Sequence, residues 1–131
     1  MIKMKYIIAT MALIISSAAY SHEMVPTYPK LEPAYVDGLY RTTMTMFNKR
    51  PEVDYYEIGV FTQDWEPIPF VSNYKVYKVP YLSTVSFDIY VRSEDRYDVT
   101  YICSVSKLRK SAKPRTAVSS KICSRVKRLG E

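Results

Sequence analysis

Hydrophobic and polar residues alternate with a period of two along most of this chain. The clearest stretch is residues 85–92, where Val85, Phe87, Ile89 and Val91 alternate with Ser86, Asp88, Tyr90 and Arg92. That is the pattern of a strand with one buried and one solvated face. Residues 39–48 alternate in the same way, with Tyr40, Met44 and Met46 on one parity, and residues 54–61 place Tyr56, Ile58 and Val60 together. Residues 74–79 alternate as YKVYKV, with Lys75 and Val76 on opposite faces. Residues 97–105 put Val99, Tyr101, Cys103 and Val105 on one parity, and residues 118–129 read as a last strand.

Breaks fall where turn chemistry demands them. They are Asp37-Gly38, residues 48–51 ending in Pro51, residues 63–67 around Trp65 and Pro67, and residues 93–96. Pro26, Pro29 and Pro33 make residues 22–34 an extended edge or arm, because proline cannot donate to a sheet ladder. No segment carries a sustained apolar stripe at helical spacing. The expectation is an all-β fold, a small antiparallel immunoglobulin-like sandwich of six or seven strands, with a barrel as the competing closure.

The first 21 residues read differently. Lys3 and Lys5 precede an apolar run over residues 6–15, and Ser16, Ser17, Ala18 and Ala19 follow. Small residues at Ala19 and Ser21 fit cleavage after Ser21, so residues 1–21 are expected to be a secretory signal peptide. The apolar run is short for the roughly 30 Å hydrocarbon layer, and no stable membrane span is expected. Residues 22–131 would then form one domain, exported to the periplasm or secreted.

Charge divides that domain. Residues 22–106 carry 8 basic and 12 acidic groups, whereas residues 107–131 carry 9 basic groups and one acid. The overall excess of cations therefore describes a mildly acidic body with a basic C-terminal strand. Export argues against nucleic acid as its counterpart, and no aromatic interleaves the basic segment for base stacking. An anionic envelope surface is one partner open to that segment, and a solvated edge strand that resists aggregation is the plainer reading.

Catalytic chemistry is sparse. His22 is the one histidine, no glycine-rich phosphate loop exists, and no cofactor or metal is expected. A terminal His22 could chelate copper, with Met24, Met44 and Met46 as soft ligands, but sites of that kind need a second histidine. Glu57, Asp64, Glu66, Asp88, Glu94 and Asp95 lie in turns and alternating strands, where solvated carboxylates are the ordinary outcome. The expectation is a protein without enzymatic activity. The alternative is a carbohydrate-active or hydrolytic domain using surface carboxylates and tyrosines.

Cys103 and Cys123 each sit in an Ile-Cys-Ser run on consecutive expected strands. In an exported chain such a pair reads as a structural disulfide rather than a redox dithiol, which is usually closely spaced. The register is awkward. Cys103 shares the parity of Val99, Tyr101 and Val105, whereas Cys123 opposes that of Val118, Ile122 and Val126. A bulge, or a last strand whose odd positions face the core, would reconcile them.

Two surfaces are candidates for binding. Strand alternation sends Tyr55, Tyr77 and Tyr90 outward, as a tyrosine-rich face suited to protein or glycan. The last strand offers apolar Val118, Ile122 and Val126 with basic Lys121, Arg125 and Lys127 for edge pairing with another protein.

Residues 41–70 (RTTMTMFNKRPEVDYYEIGVFTQDWEPIPF) resemble strands B and C of the immunoglobulin-like N-terminal domain of periplasmic pilus-assembly chaperones. The pairing of VSFDIYVRSED with YDVTYICSVSKL resembles their strands E and F, so the likeness spans about residues 39–108. It implies an immunoglobulin-like sandwich, a periplasmic setting, and recognition of another envelope protein by strand pairing. Those chaperones have two such domains, and this chain has room for one. Lys121, Arg125 and Lys127 do not match the paired basic residues with which that family anchors a subunit's carboxylate.

Overall fold

The computed structural model describes residues 22–107 and 119–128. The expected signal peptide, residues 1–21, and Val118 of the expected binding strand lie outside the described residues. The strands in chain order are β1 Glu23–Val25, β2 Glu32–Pro33, β3 Leu39–Phe47, β4 Tyr55–Phe61, β5 Val76–Lys78, β6 Thr84–Arg92, β7 Tyr101–Lys107 and β8 Lys121–Arg125. They form two separate antiparallel sheets, so the sandwich forms and the barrel does not. In one sheet, β1 and β2 share one edge of β3 and β6 pairs with the other. The second sheet has the order β5-β4-β7-β8.

The alternation in β3, β4 and β6 becomes the core directly. Register places Tyr40, Thr42 and Met44 of β3 opposite Val91, Ile89 and Phe87 of β6, all on the inner face. Their outward neighbours Thr45 and Ser86 share a hydrogen bond of 2.9 Å instead. Across the interior, Tyr56, Ile58 and Val60 of β4 are buried against them. The turn expected at Asp37-Gly38 leads into β3, with Gly38 at φ +83° where a side chain would be strained.

Two expectations of facing are corrected. Tyr77 does not point outward: it is buried, opposite Tyr56 in the ladder and 4.7 Å from the Phe87 ring of the other sheet. Its hydroxyl hydrogen-bonds Ser72, and Val76 takes the exposed position. Tyrosine suits this half-buried seam because its body is apolar while its oxygen finds a partner.

The second correction concerns β7. Its even residues Ile102, Ser104 and Ser106 face the core, because they pair with Val60, Ile58 and Tyr56 of β4. The odd residues Tyr101, Cys103 and Val105 lie on the outer face. The parity conflict between the cysteines therefore vanishes without a bulge and without reversing β8. Cys103 pairs directly with Cys123, Cα to Cα 4.0 Å, and both stand on the outer side of their sheet. Gly59 is the β4 neighbour of Cys103, and the Phe61 ring folds back over it. A Cβ on Gly59 would stand 2.7 Å from Phe61 Cε2, so glycine gives the ring its seat beside the disulfide.

The Cys103–Cys123 bridge fastens β8 to the sheet. Replacing both cysteines with serine is expected to cost about 2–5 kcal/mol in denaturant unfolding, and thiol labelling of the native oxidised protein is expected to find no reactive cysteine.

Candidate functional site

β8 is the last strand of its sheet among the described residues, and three groups of contacts hold it there. The first is a polar cluster between the sheets. His22 is buried, with Nε2 2.7 Å from Ser104 Oγ and Nδ1 3.1 Å from Ser120 Oγ. Arg50, also buried, donates from Nη1 to Ser106 Oγ at 3.4 Å and Ser120 Oγ at 3.3 Å, and from Nε to Glu52 at 2.7 Å. The Ser120 amide donates to Ser106 Oγ at 2.8 Å. These bonds tie the start of β1, the turn after β3 and the inner face of β7 to the residue preceding β8.

Asn48 completes the cluster. Its Nδ2 donates to the carbonyls of Val53 and Val79, and its Oδ1 accepts from the Arg50 amide and the Tyr56 hydroxyl. A buried polar group costs stability unless it is hydrogen-bonded, and here each one has partners. Burial, reinforced by the nearby Arg50 charge and only partly opposed by a hydrogen bond to Ser104, pushes the His22 pKa down to about 4. Burial likewise raises the Tyr56 hydroxyl to about 12. Burial alone would raise the Glu52 carboxyl, but hydrogen bonds from its own amide and from Arg50 hold it below the usual range.

The second group lies on the outer face. Trp65 stacks on Tyr101, ring centroids 4.1 Å apart and planes within 2°. Lys121, the first residue of β8, carries its ammonium over Trp65 at 4.6 Å and Phe61 at 5.2 Å. Trp65 sits at φ 65° in the tight turn after β4, where the Glu66 amide donates to Thr62 Oγ1. The disulfide is the third group.

The edge itself has two halves. Even residues of β8 bond to β7, as Ser106 N to Ser120 O and Val126 N to Thr100 O show. Odd residues therefore turn their amides and carbonyls outward. The outward amides of Arg125 and Lys127 donate to the carbonyls of Thr27 and Pro29, and Lys30 bridges Lys127 in parallel. The chain reaches this edge after leaving β3 as β1, with the cis Val25–Pro26 bond between the two pairings. Beside Lys121 and Cys123 no strand pairs among the described residues, so the edge stands open there.

The expected binding residues are distributed unevenly about this edge. Lys121 and Arg125 are exposed on the outer face, and Lys127 is exposed beside Lys30. Ile122 is half-buried and leans on the core, while Val126 is buried within it and offers no surface. Tyr55 and Tyr90 are half-buried on the outer faces of different sheets, and Tyr90 is paired with Val71. They form no common tyrosine platform. Of the candidate carboxylates, Glu57 pairs with Lys107, Glu94 and Asp95 with Arg92, and Asp88 accepts from Thr43, whereas Asp64 and Glu66 line one open cavity together with Asp98 and Arg125. His22 hydrogen-bonds Ser104 and Ser120, and no group of three or more His, Cys, Asp or Glu side chains that could hold a metal occurs among the described residues. Sequence reasoning missed Arg50, Trp65 and the serine set. The one signal was the placing of serines on the even positions of both strands, Ser104 and Ser106, and Ser120 and Ser124.

Two antiparallel sheets, with an N-terminal segment whose residues 23–25 pair with β3 and whose residues 27–30 bond the edge of β8, define an immunoglobulin-like sandwich. The chain is similar in fold to the E. coli chaperone DraB, with a TM-score of 0.60 and 18% identity over 82% of this chain and 53% of that one. It is also similar to a chain of the complex of the Salmonella enterica SafA pilin with the SafB chaperone, with a TM-score of 0.61 and 13% identity over 85% and 55% of the two chains. The chain thus spans about half the length of these structures, and the likeness is one of fold. No protein-family model and no curated protein matches the sequence.

The neutral His22 has a measurable consequence. Above pH 6.5 the imidazole is uncharged in folded and unfolded chains alike. As pH falls from 6.5 toward 4, the unfolded chain takes up a proton that the folded one refuses, and stability declines. Denaturant unfolding at stepped pH is expected to show this slope, and His22→Gln, which has no titrating ring, is expected to flatten it.

Proposed function

We propose that this chain is an exported, non-enzymatic, chaperone-like immunoglobulin domain that binds another envelope protein by accepting one of its strands along the open edge of β8. The observation that carries this reading is the pair of outward-facing backbone positions at Lys121 and Cys123, on a strand fastened to β7 by the disulfide and to the serine cluster through Ser120. An exposed, straightened edge is a template for strand addition, with main-chain bonds supplying affinity. Fixing its geometry in advance lowers the ordering cost of association. The fold of DraB and of the SafA–SafB complex supports the same reading, since those structures are chaperones and one is described with a pilin.

Export to the periplasm or beyond, after removal of residues 1–21, fits both the signal-like N-terminus and the disulfide. The basic segment would add a general attraction to acidic partners and anionic surfaces.

Lys121→Pro tests the edge, with Lys121→Gln as the control that loses the same ring contacts but keeps the amide. It deletes an amide that faces outward and leaves the even-numbered bonds to β7 in place. The wild-type protein is expected to recover one envelope protein in stoichiometric amount, and Lys121→Pro is expected to lose it while its melting temperature stays within a few degrees. Equal recovery by the variant would remove β8 from the binding site.

A further inference from the structure

Building on the edge-pairing reading, we infer that the strand this protein accepts is amphipathic by charge, with apolar residues on the side facing the sandwich interior and acidic residues on the outer side. A strand added beside β8 must alternate its side chains between the two faces of the sheet. On the inner side it meets Ile122, half-buried and packed on the core. On the outer side it meets Lys121 next to Cys123, whereas Arg125 stands on the same face where residues 27–30 already cover the edge.

Those two cations differ from Lys107 on the outer face of the same sheet. Lys107 is already neutralised by Glu57. Lys121 and Arg125 are both exposed and have no ion pair among the described residues. The Lys121 ammonium rests on the Phe61 and Trp65 rings, which attract it but accept none of its conventional hydrogen bonds. Its donors are therefore available to a carboxylate. Opposite charges at directly adjacent cross-strand positions stabilise pairing and like charges oppose it, so the open edge selects by sign. Acidic residues at the outer positions would draw Lys121 from the aromatic pair. Trp65, the one tryptophan of the chain, would report that movement.

Three synthetic peptides test this on the intact, disulfide-bonded protein. Each carries valine at alternate positions, with aspartate, threonine or lysine between them. Binding is read by Trp65 fluorescence and by the NMR shifts of the Lys121 and Cys123 amides. The aspartate peptide is expected to bind about tenfold more tightly than the lysine peptide, with threonine between them. The contrast is expected to shrink below about twofold in about 1 M salt and in the Lys121→Gln, Arg125→Gln double variant. Equal affinities, with both amides perturbed, would overturn the charge selection and leave edge pairing intact. If no peptide perturbs either amide, the edge-pairing reading falls, and this inference falls with it.

Discussion

Polar groups sealed between two sheets must find partners there, and the bonds of His22 and Arg50 to Ser104, Ser106 and Ser120 meet that requirement at one end of this sandwich. Removing one partner would leave a buried donor or acceptor unsatisfied, at a cost of about 1–3 kcal/mol. The cluster therefore acts as a set rather than as separate bonds. It brings together segments separated by as many as 98 positions in sequence and fixes where β8 begins. The disulfide then sets the register of β8, and Lys121 on the Phe61 and Trp65 rings secures its outer side.

That arrangement has a cost that the rest of the molecule contains. An open, straight edge invites unspecific pairing between chains. Residues 27–30 cover its lower half, with amides of β8 donating to Thr27 and Pro29. Among the described residues nothing pairs with the upper half, which carries Lys121, a charged residue of the kind that protects exposed edges. The proposed selection for acidic strands would rest on the same cation, so that protection and selection would arise from one side chain. Rigidity is concentrated where the edge is open, which is what a preorganised strand acceptor requires.

Where the inner face of a strand is uniformly apolar, the sequence pattern and the structure agree. Met44 and Met46 in β3, Tyr56, Ile58 and Val60 in β4, and Phe87, Ile89 and Val91 in β6 all occupy the core their alternation indicates. In β7 the polarity is inverted. Its inner face carries Ser104 and Ser106 to bond Arg50 and His22, while its outer face carries Tyr101, Cys103 and Val105 beneath Trp65 and Phe61. Alternation alone therefore assigns the wrong face, because the rule takes serine as outward and tyrosine as inward. Tyr77 deceives in the opposite sense: expected outward, it is buried, with its hydroxyl satisfied by Ser72. Lys121 and Arg125 were legible as edge residues from their parity, but the contacts that make the edge rigid join residues far apart in sequence and have no local signature.

Amide hydrogen exchange along β8 tests the central claim most directly, because it reads each outward and inward backbone position separately. The account predicts strong protection at Ile122 and Ser124, whose amides bond to β7, and exchange orders of magnitude faster at Lys121 and Cys123 on the open edge. Uniform protection along residues 121–124 would show that this edge is already covered and would contradict the account.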